Sequence, residues 1–169
     1  ECHSRRSKKD IDKNILNKVT TYTKLLAVPV RRNPESLEVK NGEKIFKRIS
    51  CQSCHHASFT TASNSGHTTL DNQKIYPYSD FLIHDMGPSL AETNPHSGVN
   101  AKEWRTPPLW GIGLIKMVNN HTRFLHDGRA RNLSEAILWH GGEAKGSRDA
   151  FLKLSKKERK DLIHFLEDL

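Results

Sequence analysis

Residues 51 to 55 read Cys51-Gln52-Ser53-Cys54-His55, two thiols separated by two residues and followed at once by an imidazole. That spacing lets two thiols add across the two vinyl groups of one porphyrin, and the adjacent histidine then falls beneath the iron as its proximal ligand. Two other chemistries compete for a Cys-x-x-Cys pair, a redox disulfide and half of a zinc site. Neither requires the histidine. A zinc site also wants a second Cys/His pair at ligand spacing, and the remaining cysteine, Cys2, lies far upstream. The run therefore implies covalent haem c, one per chain, held by Cys51, Cys54 and His55.

The chain has 169 residues, enough for one domain with an appendage and a buried core. A mean hydropathy of −0.69 describes a polar surface. No apolar run approaches the roughly 20 residues that a spanning helix needs, so no membrane span is expected. Lys and Arg exceed Asp and Glu by eight, which favours acidic partners. Nucleic acid is not expected among them. The cations are spread over Arg5, Lys8 and Lys9, Arg31 and Arg32, and Lys156, Lys157 and Lys160, without the aromatic interleaving of a binding module. No signal peptide opens the sequence. Covalent haem is attached outside the cytoplasm in bacteria, so a periplasmic or otherwise exported protein is expected, trimmed of its export segment.

Residues 1–36 are expected to form an N-terminal helix and extended linker, and residues 37–169 a cytochrome c-like haem domain, all-α with long haem-wrapping loops. Ile11, Ile15, Val19, Tyr22 and Leu26 recur at helical spacing behind Asp10 as N-cap, giving about four turns before Pro29 and Pro34. A second helix is expected from about Asn41 into the Cys-x-x-Cys-His run, with Ile45, Phe46 and Ile49 on one face. The closing helix has Ser155 and Glu158 as a capping box, and an apolar stripe at Leu162, Phe165, Leu166 and Leu169. Gly42, Phe46 and Phe165 suit a crossing of these two helices, because glycine permits close backbone approach. From His56 to Asn132 the chain reads mostly as loop, of a length that wraps around something.

Haem iron with one histidine has an open side, and its occupant separates electron transfer from small-molecule chemistry. The candidates are Met86, Met117, His84, His126 and His140. Around His140 the pattern is fullest. Asn132 and Glu135 make a capping-box-like start, Leu133, Ala136, Ile137 and His140 share a helical face, and Gly141-Gly142 stops the helix. Met86 and Met117 are the alternatives, since a thioether on a loop also serves as an axial ligand. No catalytic residue is assigned. His126 is one of several loop histidines that could work as acid or base.

Much of the chain carries a resemblance. Val28-Pro29 with Arg31-Arg32, Gly42 to Phe46, Cys51 to His55, Pro77 to Gly87, Trp104 to Gly111, Phe124 to Ala130 and Glu135 to Ala144 together resemble the C-terminal haem domain of the di-haem oxidoreductases often described as thiol oxidoreductases. These are relatives of the bacterial di-haem cytochrome c peroxidases and of the di-haem enzyme that matures methylamine dehydrogenase. The resemblance implies a two-haem protein in which an N-terminal haem meets peroxide and the C-terminal one receives and stores electrons. This chain is then the second half. Its partner is a missing N-terminal haem domain or a separate redox protein. In the peroxidases the sixth ligand of that haem is a methionine, and in the methylamine relative a tyrosine. The position that matches here is His140. By the same resemblance Arg105 sits beside a haem propionate, and His126 matches a histidine in the turn before the helix.

Two departures limit what is carried over. The segment that helps to hold an interdomain calcium is His121-Thr122-Arg123 here, so calcium does not follow, and Phe124-Leu125 precedes His126. There is also no complete second Cys-x-x-Cys-His, although Glu1-Cys2-His3 could be the tail of one, half of a disulfide, or a free thiol. Three functions stay open on these grounds: a six-coordinate electron relay, a peroxidase-like haem that binds peroxide itself, and a haem-based sensor. Ligation discriminates, because a saturated iron binds peroxide only when a ligand leaves.

Overall fold

The computed structural model describes residues 11–93, 98 and 100–169. Asp10 and Cys2 lie outside them. Helix α1, Lys13–Lys24, is capped by Asp12, whose carboxylate accepts the N–H of Asn14. None of its residues is buried, and Ile15, Val19 and Tyr22 stand exposed along one side. After it the chain runs extended to Asn33 and is strapped to the end of the closing helix by Arg31, whose Nε lies 2.5 Å from the Asp168 carboxylate. The Asn33 N–H donates to the same carboxylate.

Helix α2, Leu37–Arg48, begins one turn earlier than the apolar period suggests. Ser36 caps it through the Val39 N–H, and Leu37 is 69% exposed, so the first turn contributes little to the stripe that marks the helix in sequence. Nor does the helix continue into the cysteine run. Ser50 takes a left-handed conformation at φ 64°, and Cys51–Ser53 form a separate 3₁₀ turn closed by the Cys54 N–H on the Cys51 carbonyl, which also accepts the His55 N–H.

The loop-rich middle holds two antiparallel ribbons. Strand β1, Phe59–Thr60, pairs with β2, Lys74–Ile75, while β3, Ile83–Asp85, pairs with β4, Glu103–Arg105, placing His84 opposite Trp104. The expectation of an all-α cytochrome c-like chain is thereby corrected to a mixed α/β architecture. Strands of two or three residues carry no readable alternation, and Ile-His-Asp does not announce a strand by composition. Helices α3, Ile115–Asn119, α4, Leu133–Trp139, α5, Lys145–Leu152, and α6, Lys156–Asp168, complete the described residues.

The core forms where α2 crosses α6. A Cβ on Gly42 would lie 2.6 Å from the Phe165 Cβ and would overlap the Asp161 carbonyl, so the two backbones meet at a distance only glycine allows. Phe46 and Tyr78 both pack edge-on to Phe165, at 5.3 and 5.6 Å between centroids. Leu162 and Phe165 are fully enclosed. The capping box of Ser155 and Glu158 fixes where α6 starts. Gly42→Val should therefore destabilise the chain by about 1–3 kcal/mol through overpacking, read as a lowered urea midpoint. An unchanged midpoint would mean that the helices do not meet at this residue.

Candidate haem site

Three backbone segments converge beside the 3₁₀ turn. The first, Pro77–Phe81, lies directly on the Cys-x-x-Cys-His run: the Ser79 N–H donates to the His56 carbonyl at 2.9 Å and the Asp80 N–H to the Cys54 carbonyl at 2.8 Å. Tyr78 and Phe81 adopt left-handed conformations at φ 51° and 61°, which fold this segment tightly. The buried Ser79 hydroxyl secures it by donating to the Thr106 carbonyl. The second segment is the end of β3. The third is the turn after α4.

His55 is partly buried, and its Nδ1 lies 3.0 Å from the Tyr78 carbonyl. A carbonyl only accepts, so the proton of the neutral ring sits on Nδ1 and Nε2 is left as a lone-pair donor. His140 repeats the arrangement, with its Nδ1 2.7 Å from the Ala136 carbonyl. The two rings lie 6.5 Å apart between centroids, inclined at 46°. Burial pushes the His55 imidazolium down to about 4, further than the Tyr78 bond can restore, and the neighbouring His140 adds to the depression. Burial lowers His140 as well. Both rings are thus held neutral, the form in which imidazole binds metals.

His140 is not on the helical face that its register suggests. Helix α4 ends at Trp139, and His140 follows as its C-cap in extended conformation, with its N–H on the Ile137 carbonyl. Gly141 and Gly142 then pass against the end of β3. A Cβ on Gly141 would sit 2.7 Å from the Met86 carbonyl, and Gly142 has φ +49° with the Asp85 carbonyl in the same space. These glycines do more than stop a helix, since they let the turn that carries His140 lie against β3.

Cys51 and Cys54 are unbonded thiols. Burial pushes Cys51 up to about 12, and burial together with the Asp80 and Glu143 charges raises Cys54. Thiols shifted upward are the opposite of the activated thiolates of redox disulfides. Cys54, Asp80 and His84 place ligand atoms within 4.8 Å of one another, a cluster of metal-binding residue types. Both nitrogens of His84 are already occupied, however, by Asp80 and Glu143 at 2.8 Å each.

The remaining candidates make other contacts. Met117 is 75% exposed on α3. Met86 is half-buried, its backbone against Gly141. His126 stacks on Trp104 at 3.4 Å between centroids. Arg105 lies over the Phe81 ring at 5.3 Å, on the segment that covers the cysteine run. Sequence reasoning did not identify Tyr78 and Ala136, whose carbonyls orient the imidazoles. A backbone acceptor leaves no signature in side-chain identity.

The family model described as "Di-haem oxidoreductase, putative peroxidase" matches residues 4–169. The chain belongs to the di-haem oxidoreductase family. No curated protein and no solved structure matches it. Membership in this family implies haem binding, and the donor set fits that group: two free thiols beside two neutral imidazoles, each with Nε2 available. Among the described residues no helix is long and apolar enough to cross a membrane.

The protonation states can be checked directly. As pH falls, the unfolded chain takes up a proton on His55 near 6.5 while the folded chain resists until about 4, so this residue's contribution to stability is lost across that window. Proton NMR of the haem-free chain should show the His55 ring unshifted from pH 8 to 5. His84, raised first by its bond to Glu143 and then by Asp80, should titrate above the ordinary histidine range. A His55 titration near 6.5 would contradict the enclosure described here.

Proposed function

We propose that the chain is a c-type haem electron-transfer domain of a di-haem, peroxidase-like oxidoreductase, with haem attached through Cys51 and Cys54 and iron ligated by His55 and His140. One observation carries the reading: two neutral imidazoles, each donating Nδ1–H to a backbone carbonyl, stand 6.5 Å apart beside the attachment run. One iron atom between two imidazole nitrogens at about 2 Å each sets ring centroids roughly 6 Å apart. The second-shell bond from a ligand's other nitrogen to a carbonyl is what metal-binding histidines make.

When bound, haem supplies a one-electron couple whose potential depends on its axial ligands. The protein's part is to fix the ligands and to close the coordination sphere. His140, held at the C-cap of α4, would supply the second nitrogen and deny that position to peroxide. A pair of imidazoles also gives a lower potential than one imidazole with a thioether, because methionine ligation raises it. Arg105, on β4 beside Phe81, is the candidate partner for a propionate. The chain's partner is an N-terminal haem domain or a separate redox protein. An excess of eight basic residues favours an acidic partner. Haem attachment of this type agrees with export to the periplasm.

The competing function, direct peroxide reduction, needs an open iron with an acid or base beside it. Among the sequence candidates His126 is stacked on Trp104 and His84 is held between two carboxylates. Three measurements test the proposal together. Acid-acetone should leave the haem on the protein. His140→Ala should turn the ferric spectrum from low-spin to high-spin and admit exogenous ligands, whereas an unchanged spectrum would move the sixth ligand to Met86. The isolated chain should reduce peroxide far more slowly than the usual enzymatic rate of about 10 per second, and turnover at that rate would replace the relay by a peroxidase.

A further inference from the structure

His84 is a histidine that the ligand set does not use, and both of its nitrogens are committed. Nε2 lies 2.8 Å from the Asp80 carboxylate and Nδ1 2.8 Å from the Glu143 carboxylate. Carboxylates accept only, so both nitrogens carry protons and the ring is an imidazolium between two negative charges. The His84 and Asp80 side chains are 15% and 14% exposed, and that of Glu143 is 56% exposed.

What these groups join is more telling than their charge. Asp80 sits on the segment whose N–H groups hold the cysteine run, through the Cys54 carbonyl at 2.8 Å. Glu143 lies three residues after His140, beyond Gly141-Gly142, and its second oxygen accepts the Asp85 N–H at 2.9 Å. A chain of bonds thus runs from the Cys54 carbonyl through Asp80, His84 and Glu143 to the turn that carries His140. It links the segment that carries the His55 acceptor to the turn that carries His140. We propose that His84 is a positioning residue, an ionic clamp that holds the His140 turn at a fixed distance from the His55 side and so keeps the sixth ligand seated on the iron.

The charge arrangement states what removal would do. Without the imidazolium, Asp80 and Glu143 face each other as like charges, and the turn loses its hold on the Pro77–Phe81 segment. The packing of Gly141 on Met86 and of Gly142 on the Asp85 carbonyl remains, so the fold has a second support. The sixth ligand should then detach more easily while the chain stays folded. This inference rests on the proposed ligation by His140, and the experiment separates the two.

The probe is imidazole, titrated into the ferric haem protein and followed by its absorption spectrum, alongside thermal unfolding. His84→Gln and, as a milder break on the exposed arm, Glu143→Gln should each bind imidazole about tenfold or more tightly than the parent, the factor expected for losing a charge-assisted bond that is partly screened. Each should also show added high-spin absorption. His140→Ala sets the upper limit of that response. If His140→Ala opens the iron but both clamp variants bind imidazole like the parent, the clamp is refuted, even if they melt at lower temperature. If His140→Ala changes nothing, the ligation itself is wrong and the clamp falls with it. Should His84→Gln fail to fold, Glu143→Gln alone decides by the same criterion.

Discussion

A neutral imidazole inside a protein must give its single N–H to an acceptor, and the acceptor it finds determines which nitrogen remains free. In this chain His55 and His140 meet that requirement in the same way, by donating Nδ1–H to the carbonyls of Tyr78 and Ala136. Much of the surrounding architecture serves to bring those two carbonyls to the right places. One belongs to a segment folded tightly through left-handed residues, the other to the last turn of a short helix. Because both acceptors are backbone atoms, their positions are set by the fold rather than by flexible side chains. The arrangement leaves the Nε2 lone pair of each ring free.

Tyr78 links this local chemistry to the core. Its carbonyl orients His55 while its ring packs on Phe46 and Phe165, at the crossing of α2 and α6 that Gly42 permits. A shift of the helix pair would therefore move the acceptor of His55. On the other side, the approach of β3 to Gly141 and Gly142 seats the turn after α4. The site is held from two directions, by helix packing behind His55 and by a ribbon beside His140. This explains why a chain with so little regular structure in its middle can still fix two side chains 6.5 Å apart.

Sequence alone made the family and the start of α6 legible, because each is written in side-chain types at short, fixed spacing. The capping pair Ser155 and Glu158 is such a case. The ribbons were not legible, since pairs of two or three residues form only through distant partners. His140 was marked by its register and its glycines, yet it lies one step beyond the helix that the register assumed. Met117 shows the reverse failure: a methionine has the right atom for a ligand, but its exposure on α3 depends on tertiary packing. The imidazolium of His84 was out of reach as well, because Asp80 and Glu143 meet it from different segments.

The proposed function depends on what occupies the two axial positions of the haem. Near-infrared magnetic circular dichroism of the ferric protein reads this directly, since the charge-transfer band reports the pair of axial atoms. A band at the position of two nitrogen ligands is the result expected for His55 with His140. A band at the position of nitrogen with thioether sulfur would contradict the account and assign the sixth ligand to methionine.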